Sequence, residues 1–252
     1  MSETLEETLK KPVLLERKIN GLDSSRQIIS SITHELRSPL AIISSNIQLL
    51  KQFNYDLDNK VVNETFHLCE EAVKSIKRFA EDISFIHGSN KGELKPESKK
   101  IEPDKFFDEL IGKLPESDYS RKRVKYEKNI KAKTFYTDPR FLLKILENLL
   151  NNALKFSSED VFLKVVCTKE ELNIQLKDQG IGMLDEEIDY LFEPFSRGSN
   201  VKMISGSGLG LAIVKRSLDL LNGNMEVVSS VNHGTTFNIK ILSNGSQKNI
   251  DN

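Results

Sequence analysis

Between residues 21 and 53, apolar side chains recur at Ile29, Ile32, Leu36, Leu40, Ile43, Ile47 and Leu50, three and four positions apart. That spacing is the seam of a coiled coil or helical bundle, and it predicts one long helix. A polar turn, "NYDLDN", comes next. A second run then passes through Thr65, Leu68, Ala72, Ser75, Phe79, Ile83 and Ile86 with the same spacing, and His87-Gly88 is the expected stop. Two long helices on a short loop make an antiparallel hairpin. A single hairpin cannot bury both stripes well, whereas two hairpins pack as a four-helix bundle, so a homodimer through this region is expected.

The pattern changes after the polar stretch "GSNKGELKPESKK". Short β-type runs ("VKYEKNI", "KTFYT", "DVFLKVVCT", "ELNIQLKD", "NMEVVSS", "TTFNIKIL") alternate with helical ones ("PDKFFDELIGKL", "DPRFLLKILENLLNNALKFS", "GLAIVKRSLDLLNG"). Tight polar turns such as "TKEE" favour hairpins, and with them a mixed sheet rather than a doubly wound parallel one. The fold class expected is α+β: a helical hairpin forming a dimeric four-helix bundle, then an α/β sandwich with its sheet packed on helices. The expected division is an N-terminal linker or helical extension over 1–20, the hairpin domain over 21–88, a linker over 89–100, the α/β domain over 101–242 and a polar tail over 243–252.

Charge narrows the partners. The 36 Lys and Arg nearly cancel the 37 Asp and Glu, and a net charge of -1 gives no electrostatic reason to expect nucleic acid. No window approaches the roughly 18 apolar residues of a membrane helix, and "MSETLEETLKK" lacks the apolar run of a signal peptide, so the chain is expected in the cytoplasm, with membrane anchoring of a longer parent left open. Cys69 and Cys167, far apart and outside any metal-ligand spacing, are expected to be buried thiols.

Four short stretches carry chemistry. In "SITHELRSPL", projection at about 100° per residue places His34 about 160° from the seam, facing solvent, with Ser38 one turn on. Glu35 can hold one imidazole nitrogen so that the other is an unprotonated nucleophile, and Pro39 removes an N–H and tends to bend the helix just past the histidine. In "ENLLNNALKFS", Asn148, Asn152 and Lys155 share a helix face that suits an oxyanion with a hard cation such as Mg²⁺. In "DQGIGM", Asp178 stands at a strand end where it can accept from an exocyclic amine, and Gly180 and Gly182 let a flat ligand approach. In "GSGLGLAIVKRSLDLL", Gly206, Gly208 and Gly210 precede a helix whose free N–H groups point at an anion; the pattern is neither a Walker A loop nor a dinucleotide fingerprint. The stretch 184–207 before it reads as a mobile lid.

In this order and at these spacings, "SITHELRSPL", "ENLLNNALKFS", "DQGIGM", "LFEPFSRG" and "GSGLGLAIVK" resemble the H, N, G1, F and G2 boxes of the sensor histidine kinases of two-component signalling, over residues 24 to 242. The resemblance implies a dimerisation and histidine-phosphotransfer hairpin followed by a catalytic domain of the Bergerat ATP-binding fold. It implies that His34 is the phosphoacceptor, Glu35 its acid/base partner and Ser38 a further catalytic position. Asn152 would be the Mg²⁺ ligand, with Asn148 and Lys155 beside the phosphates. Asp178 would recognise adenine in a pocket shaped by Gly180 and Gly182. Phe192 and Phe195 would anchor the lid, Arg197 would reach the phosphates, and Gly206, Gly208 and Gly210 would close over them. Phe156, Leu209 and Thr236 complete the implied nucleotide contacts, and Gly234 matches the last glycine turn.

The resemblance further implies ATP-dependent autophosphorylation on His34, then transfer to an aspartate of a response-regulator receiver domain, under an upstream sensor domain absent from these residues. Two positions depart from relatives. Hydrolytic gyrase-like ATPases carry a water-activating glutamate four residues before the metal asparagine; here Asn148 stands there, which favours a kinase over a free ATPase. Ser38 stands where the family usually has Thr or Asn, which leaves regulator phosphatase activity open. The alternatives are a regulatory ATP-binding dimer without kinase activity and a hydrolytic ATPase.

Overall fold

The computed structural model describes residues 29–52, 59–114, 120–201 and 206–244. The expected extension over 1–20, the start of the first helix, residues 53–58 of the turn, lid residues 202–205 and the tail beyond Asn244 lie outside them. The chain divides into two compact units, Met1–Glu81 and Asp82–Asn252.

The first unit holds the helical hairpin as far as Glu81, and the second helix runs on into the residues of the second unit. Helix α1 is helical throughout 29–52, and α2 runs Asn59–Asn90. The covered face of α1 passes through Ile32, Leu36, Pro39, Ile43, Asn46 and Leu50, and that of α2 through Val62, Thr65, Cys69, Ala72, Ile76 and Phe79. This differs from the expected seam by one position at four places. Leu40, Ile47 and Leu68 are exposed along with Ser75, and Pro39, Asn46, Cys69 and Ile76 take the covered positions. The apolar pattern contains two stripes, and spacing alone merged them: one stripe faces the other helix, while Ile29, Leu40, Ile47, Phe66, Leu68 and Val73 face outward. Cys69 is half-buried rather than buried.

Helix α2 does not stop at Gly88. It continues to Asn90 and ends in a Schellman motif around Gly92, whose φ is +68°. The Glu93 N–H reaches the Gly88 carbonyl at 3.0 Å and the Gly92 N–H that of Ser89 at 3.1 Å.

In the second unit, β1 (Lys99–Ile101) pairs antiparallel with β3 (Phe135–Thr137). The main sheet holds β2 (Val124–Ile130), β4 (Val161–Cys167), β5 (Glu171–Lys177), β6 (Asn224–Ser230) and β7 (Gly234–Leu242) in the order β2-β4-β5-β7-β6. Only β2 and β4 are parallel, so the sheet is mixed. Thr168 closes the β4–β5 hairpin, its N–H bonding the Glu171 carbonyl at 2.9 Å and its Oγ1 accepting the Glu171 N–H at 3.1 Å.

Strict alternation explains the core. Leu163, Val165, Leu172, Ile174, Leu176, Phe237, Ile239 and Ile241 bury one sheet face, and Cys167 lies there with its thiol pKa pushed up to about 11 by burial. That face is covered by apolar helix stripes: Phe107 and Leu110 of α3 (Pro103–Gly112), Leu142, Ile145, Leu146, Leu149 and Leu150 of α5 (Pro139–Phe156), and Ile213, Val214 and Leu218 of α6 (Gly210–Leu220). A single turn, α4 (Ser120–Arg123), precedes β2.

Both ends of α5 are anchored. Asp138 caps its start with Pro139 in the first turn, and Arg123 donates to the carbonyls of Leu154, Ser157 and Glu159 at its end. The helix that carries the two asparagines is thereby held at a defined height against the sheet.

Candidate functional sites

On α1, the His34 side chain is 69% exposed. Its Nδ1 lies 4.0 Å from Glu35 Oε1, longer than a hydrogen bond. Consecutive helical residues project about 100° apart and do not face one another, so the expected His34–Glu35 hydrogen bond needs a change of the Glu35 rotamer. Arg37 and Ser38 are exposed beside His34. Pro39 is buried, and without an N–H it leaves the Glu35 carbonyl short of its intrahelical donor, although the helix runs on through it.

The second unit assembles a pocket from the C-terminal half of α5, the end of β5 and the start of α6. Asp178 is 7% exposed. Its Oδ1 accepts the N–H groups of Gly180 at 2.8 Å and Thr235 at 3.2 Å, and no described residue bonds Oδ2. Burial pushes its pKa up, against the lowering effect of the two N–H donors. A buried carboxylate with one oxygen tied down and one open suits an exocyclic amine.

The loop after Asp178 is packed backbone to backbone. Gly180 lies against the Phe156 carbonyl, which accepts the Ile181 N–H at 3.2 Å, and Gly234 lies against the Asp178 carbonyl. Phe156 thus contributes its backbone as a pocket wall, while its ring lies 4.8 Å from Lys155 Nζ.

Asn148 and Asn152 are half-buried and both face Gly210, the first residue of α6. The Asn148 amide donates to the Lys144 carbonyl at 2.8 Å, leaving its Oδ1 toward the helix start. Lys155 Nζ lies against Gly206. Leu209 is fully buried and supplies no side-chain cap, so the first N–H groups of α6 face the two amides uncapped. An ammonium, two amide oxygens and a helix start converge here.

Over its described residues 184–201 the lid forms three short 3₁₀ turns, Asp185–Glu187, Tyr190–Phe192 and Ser199–Val201. Leu191 is buried, with Phe192 and Phe195 half-buried. Arg197 donates from Nη2 to the Val201 carbonyl at 2.8 Å, a bond to the lid's own backbone.

Thr236 does not share the Asp178 side of the sheet. It pairs with Lys177 on the outer face, because side chains alternate along β7. Thr235 is the threonine at the pocket: its carbonyl accepts the Asp178 N–H, its own N–H donates to Asp178 Oδ1, and its hydroxyl meets Ser229 Oγ at 2.9 Å. Residue parity from the buried Phe237, Ile239 and Ile241 carries this signal in the sequence.

Comparison with known proteins bears on both units. Residues 24–86 match the description "His Kinase A (phospho-acceptor) domain", and residues 137–244 match "Histidine kinase-, DNA gyrase B-, and HSP90-like ATPase". The chain belongs to the sensor histidine kinases.

Among curated histidine kinases, it is 31% identical over 242 residues to the sensor histidine kinase YvrG of Bacillus subtilis, covering 93% of this chain and 41% of the relative. It is 26% identical over 231 residues to the histidine-protein kinase ArlS of Staphylococcus aureus, covering 87% and 49%. The chain therefore spans less than half the length of these relatives. Among solved structures, histidine kinase AdeS of Acinetobacter baumannii superposes with a TM-score of 0.62 at 21% identity, over 84% of this chain and 98% of that one. Full-length ShkA in complex with AMPPNP superposes at 0.60 with 20% identity, over 85% and 45%. These two likenesses concern the fold.

Proposed function

We propose that this chain is a kinase core that phosphorylates His34 from ATP and passes the phosphoryl group to an aspartate of a response-regulator receiver domain. The observation that carries the reading is the pairing, in one chain, of an exposed helical His34 with a pocket where Asp178 Oδ2 is open and Asn148, Asn152 and Lys155 converge on an uncapped helix start. The donor set fits Mg²⁺ held jointly with phosphate: amide oxygens are hard ligands, and no cluster of three or more acidic, His or Cys side chains among the described residues offers a complete protein cage.

In this reading Asp178 selects the purine, Asn148 and Asn152 hold the metal, and Lys155 with the α6 N–H groups holds phosphate oxygens. Bound MgATP supplies the γ-phosphoryl group with its charge partly neutralised. Glu35 lies on the Nδ1 side of the His34 ring, which leaves Nε2 as the attacking nitrogen. The new N–P bond replaces the bond between the γ-phosphorus and its bridging oxygen, the electron pair leaves on ADP, and Glu35 receives the Nδ1 proton. A kinase is favoured over a hydrolase because Asn148 is a neutral amide already donating to Lys144, and Glu147 is exposed one residue away.

The family's phosphoacceptor domain implies dimerisation in general, and the outward stripe through Leu40, Ile47, Phe66 and Leu68 supports a homodimer here. The domain division proposed is a hairpin from residue 21, a linker that begins only after α2 ends at Asn90, and the ATP-binding domain over 101–242. Among the described residues no helix is long and apolar enough to cross a membrane, and a sensor domain is proposed in the longer protein.

The test is incubation with γ-labelled ATP. Acid-labile, base-stable label on the wild type and none on His34→Gln is expected. Label persisting on that variant, or phosphate release without phosphoprotein, overturns the reading.

A further inference from the structure

The lid touches the purine-side loop through one side chain that the proposed mechanism does not use. Asn200, in the turn Ser199–Val201, donates from Nδ2 to the Gly182 carbonyl at 2.9 Å. That carbonyl accepts from no other described residue. The rest of the loop is bonded to the body of the sheet: Ile181 N–H to Phe156, the Ile181 carbonyl to Asn232 N–H at 2.8 Å, and Met183 N–H to Ser229 Oγ at 2.8 Å. Gly182 itself backs onto the Ser230 carbonyl, so its own carbonyl is turned to the lid.

The turn that presents Asn200 is braced at both ends. The Ser199 N–H donates to the Glu187 carboxylate at 3.2 Å, and Arg197 donates to the Val201 carbonyl at 2.8 Å. A turn whose backbone is held this way presents the Asn200 amide to Gly182 with little backbone freedom left to lose, which is what makes one hydrogen bond effective as a tether.

We propose that Asn200 is a positioning residue for the nucleotide: its amide ties the lid turns over 184–201 to the Gly182 carbonyl, so that the loop 178–183 and these turns form one wall around bound ATP. The inference rests on the ATP reading for its consequence, but the tether is a property of the ATP-free protein. Breaking it lets the lid part from the loop and speeds nucleotide release.

Asn200→Asp tests this, because it keeps the shape and removes the donor; Asn200→Gln keeps a donor. In Asn200→Asp, backbone amide exchange in the ATP-free protein should quicken together over 178–183 and over the lid, while strands β4 and β5 keep wild-type protection. The Kd for MgATP, measured by titration calorimetry, should rise about three- to tenfold, the net value of one hydrogen bond, mostly through faster release. The KM for ATP in autophosphorylation should rise more than the saturated rate falls, and Asn200→Gln should recover part of the loss. Wild-type exchange and wild-type Kd in Asn200→Asp overturn the proposal while the ATP reading stands. A wild type that binds no ATP sinks that reading instead, and the exchange comparison alone then decides the tether.

Discussion

The Phe195 N–H donates to the Gly208 carbonyl at 3.0 Å, and both residues sit in left-handed backbone, with φ of 66° and 71°. This bond ties the middle of the lid to the residues just before α6. A bulky residue at positive φ is strained, and the strain persists because the facing backbone holds it. A Cβ on Gly208 would fall 2.7 Å from Phe195 C and Ser196 O, both backbone atoms that cannot step aside. Gly208→Ala should therefore weaken MgATP binding about tenfold or more, from roughly 1–3 kcal/mol of strain concentrated at the lid. Calorimetric titration measures it; unchanged affinity would mean that the contact between Phe195 and Gly208 is not needed for binding.

Asp178 links binding to pH. Burial raises its pKa above the ordinary aspartate value of about 3.9, against the two N–H donors that lower it. A raised acid favours folding in its neutral form: its contribution is complete below about pH 3.9 and is lost as pH rises through the folded value. At pH 7 the buried charge is a cost retained for ligand recognition. Asp178→Asn should abolish ATP binding and raise the thermal midpoint of the ATP-free protein at pH 7, with the gap to wild type closing toward about pH 4. A midpoint below wild type at pH 7 would show that the carboxylate is stabilising.

Where one periodicity acts alone, the sequence and the structure agree. Alternation located β2, β4, β5, β6 and β7, and the three-and-four spacing located α5 with Asn148, Asn152 and Lys155 on one face. Disagreements arise where two demands share a pattern. Leu40 and Leu68 look like seam residues because the hairpin helices carry an outward apolar stripe beside the inward one. Gly88 looks like a cap, but it is buried within α2, and the left-handed residue is Gly92. Thr235 and Thr236 are chemically identical neighbours, and only strand parity separates them. Asn200 has no periodic signature, since its role depends on a lid folding back onto Gly182.

Asp138 is the reverse electrostatic case. It is 1% exposed, and although burial acts upward on its pKa, hydrogen bonds from Arg140 and from the Glu97 N–H at 2.8 Å hold it below the usual value. The stability it contributes is complete above about pH 3.9 and is lost as pH falls through the folded value. Asp138→Ala should cost about 1–2 kcal/mol as a lost cap of α5, and more for the stranded Glu97 N–H. Urea titrations at pH 7 and about pH 3.5 check this; a difference that persists undiminished at the lower pH would assign the loss to packing instead.

Pro39 sets stability against motion at the phosphoacceptor. A proline inside a helix costs about 3 kcal/mol relative to alanine, through the missing N–H and the clash with the preceding turn. Pro39→Ala restores the bond to the Glu35 carbonyl, while the loss of the buried ring takes back part of the gain. A net stabilisation of about 1–2 kcal/mol is expected, seen as a higher midpoint in helical circular dichroism. If the helix must bend beside His34 for the nucleotide to be reached, the same variant should phosphorylate more slowly from labelled ATP. A variant that is more stable and equally fast would show that the bend is not used, leaving Pro39 as a cost with no catalytic return.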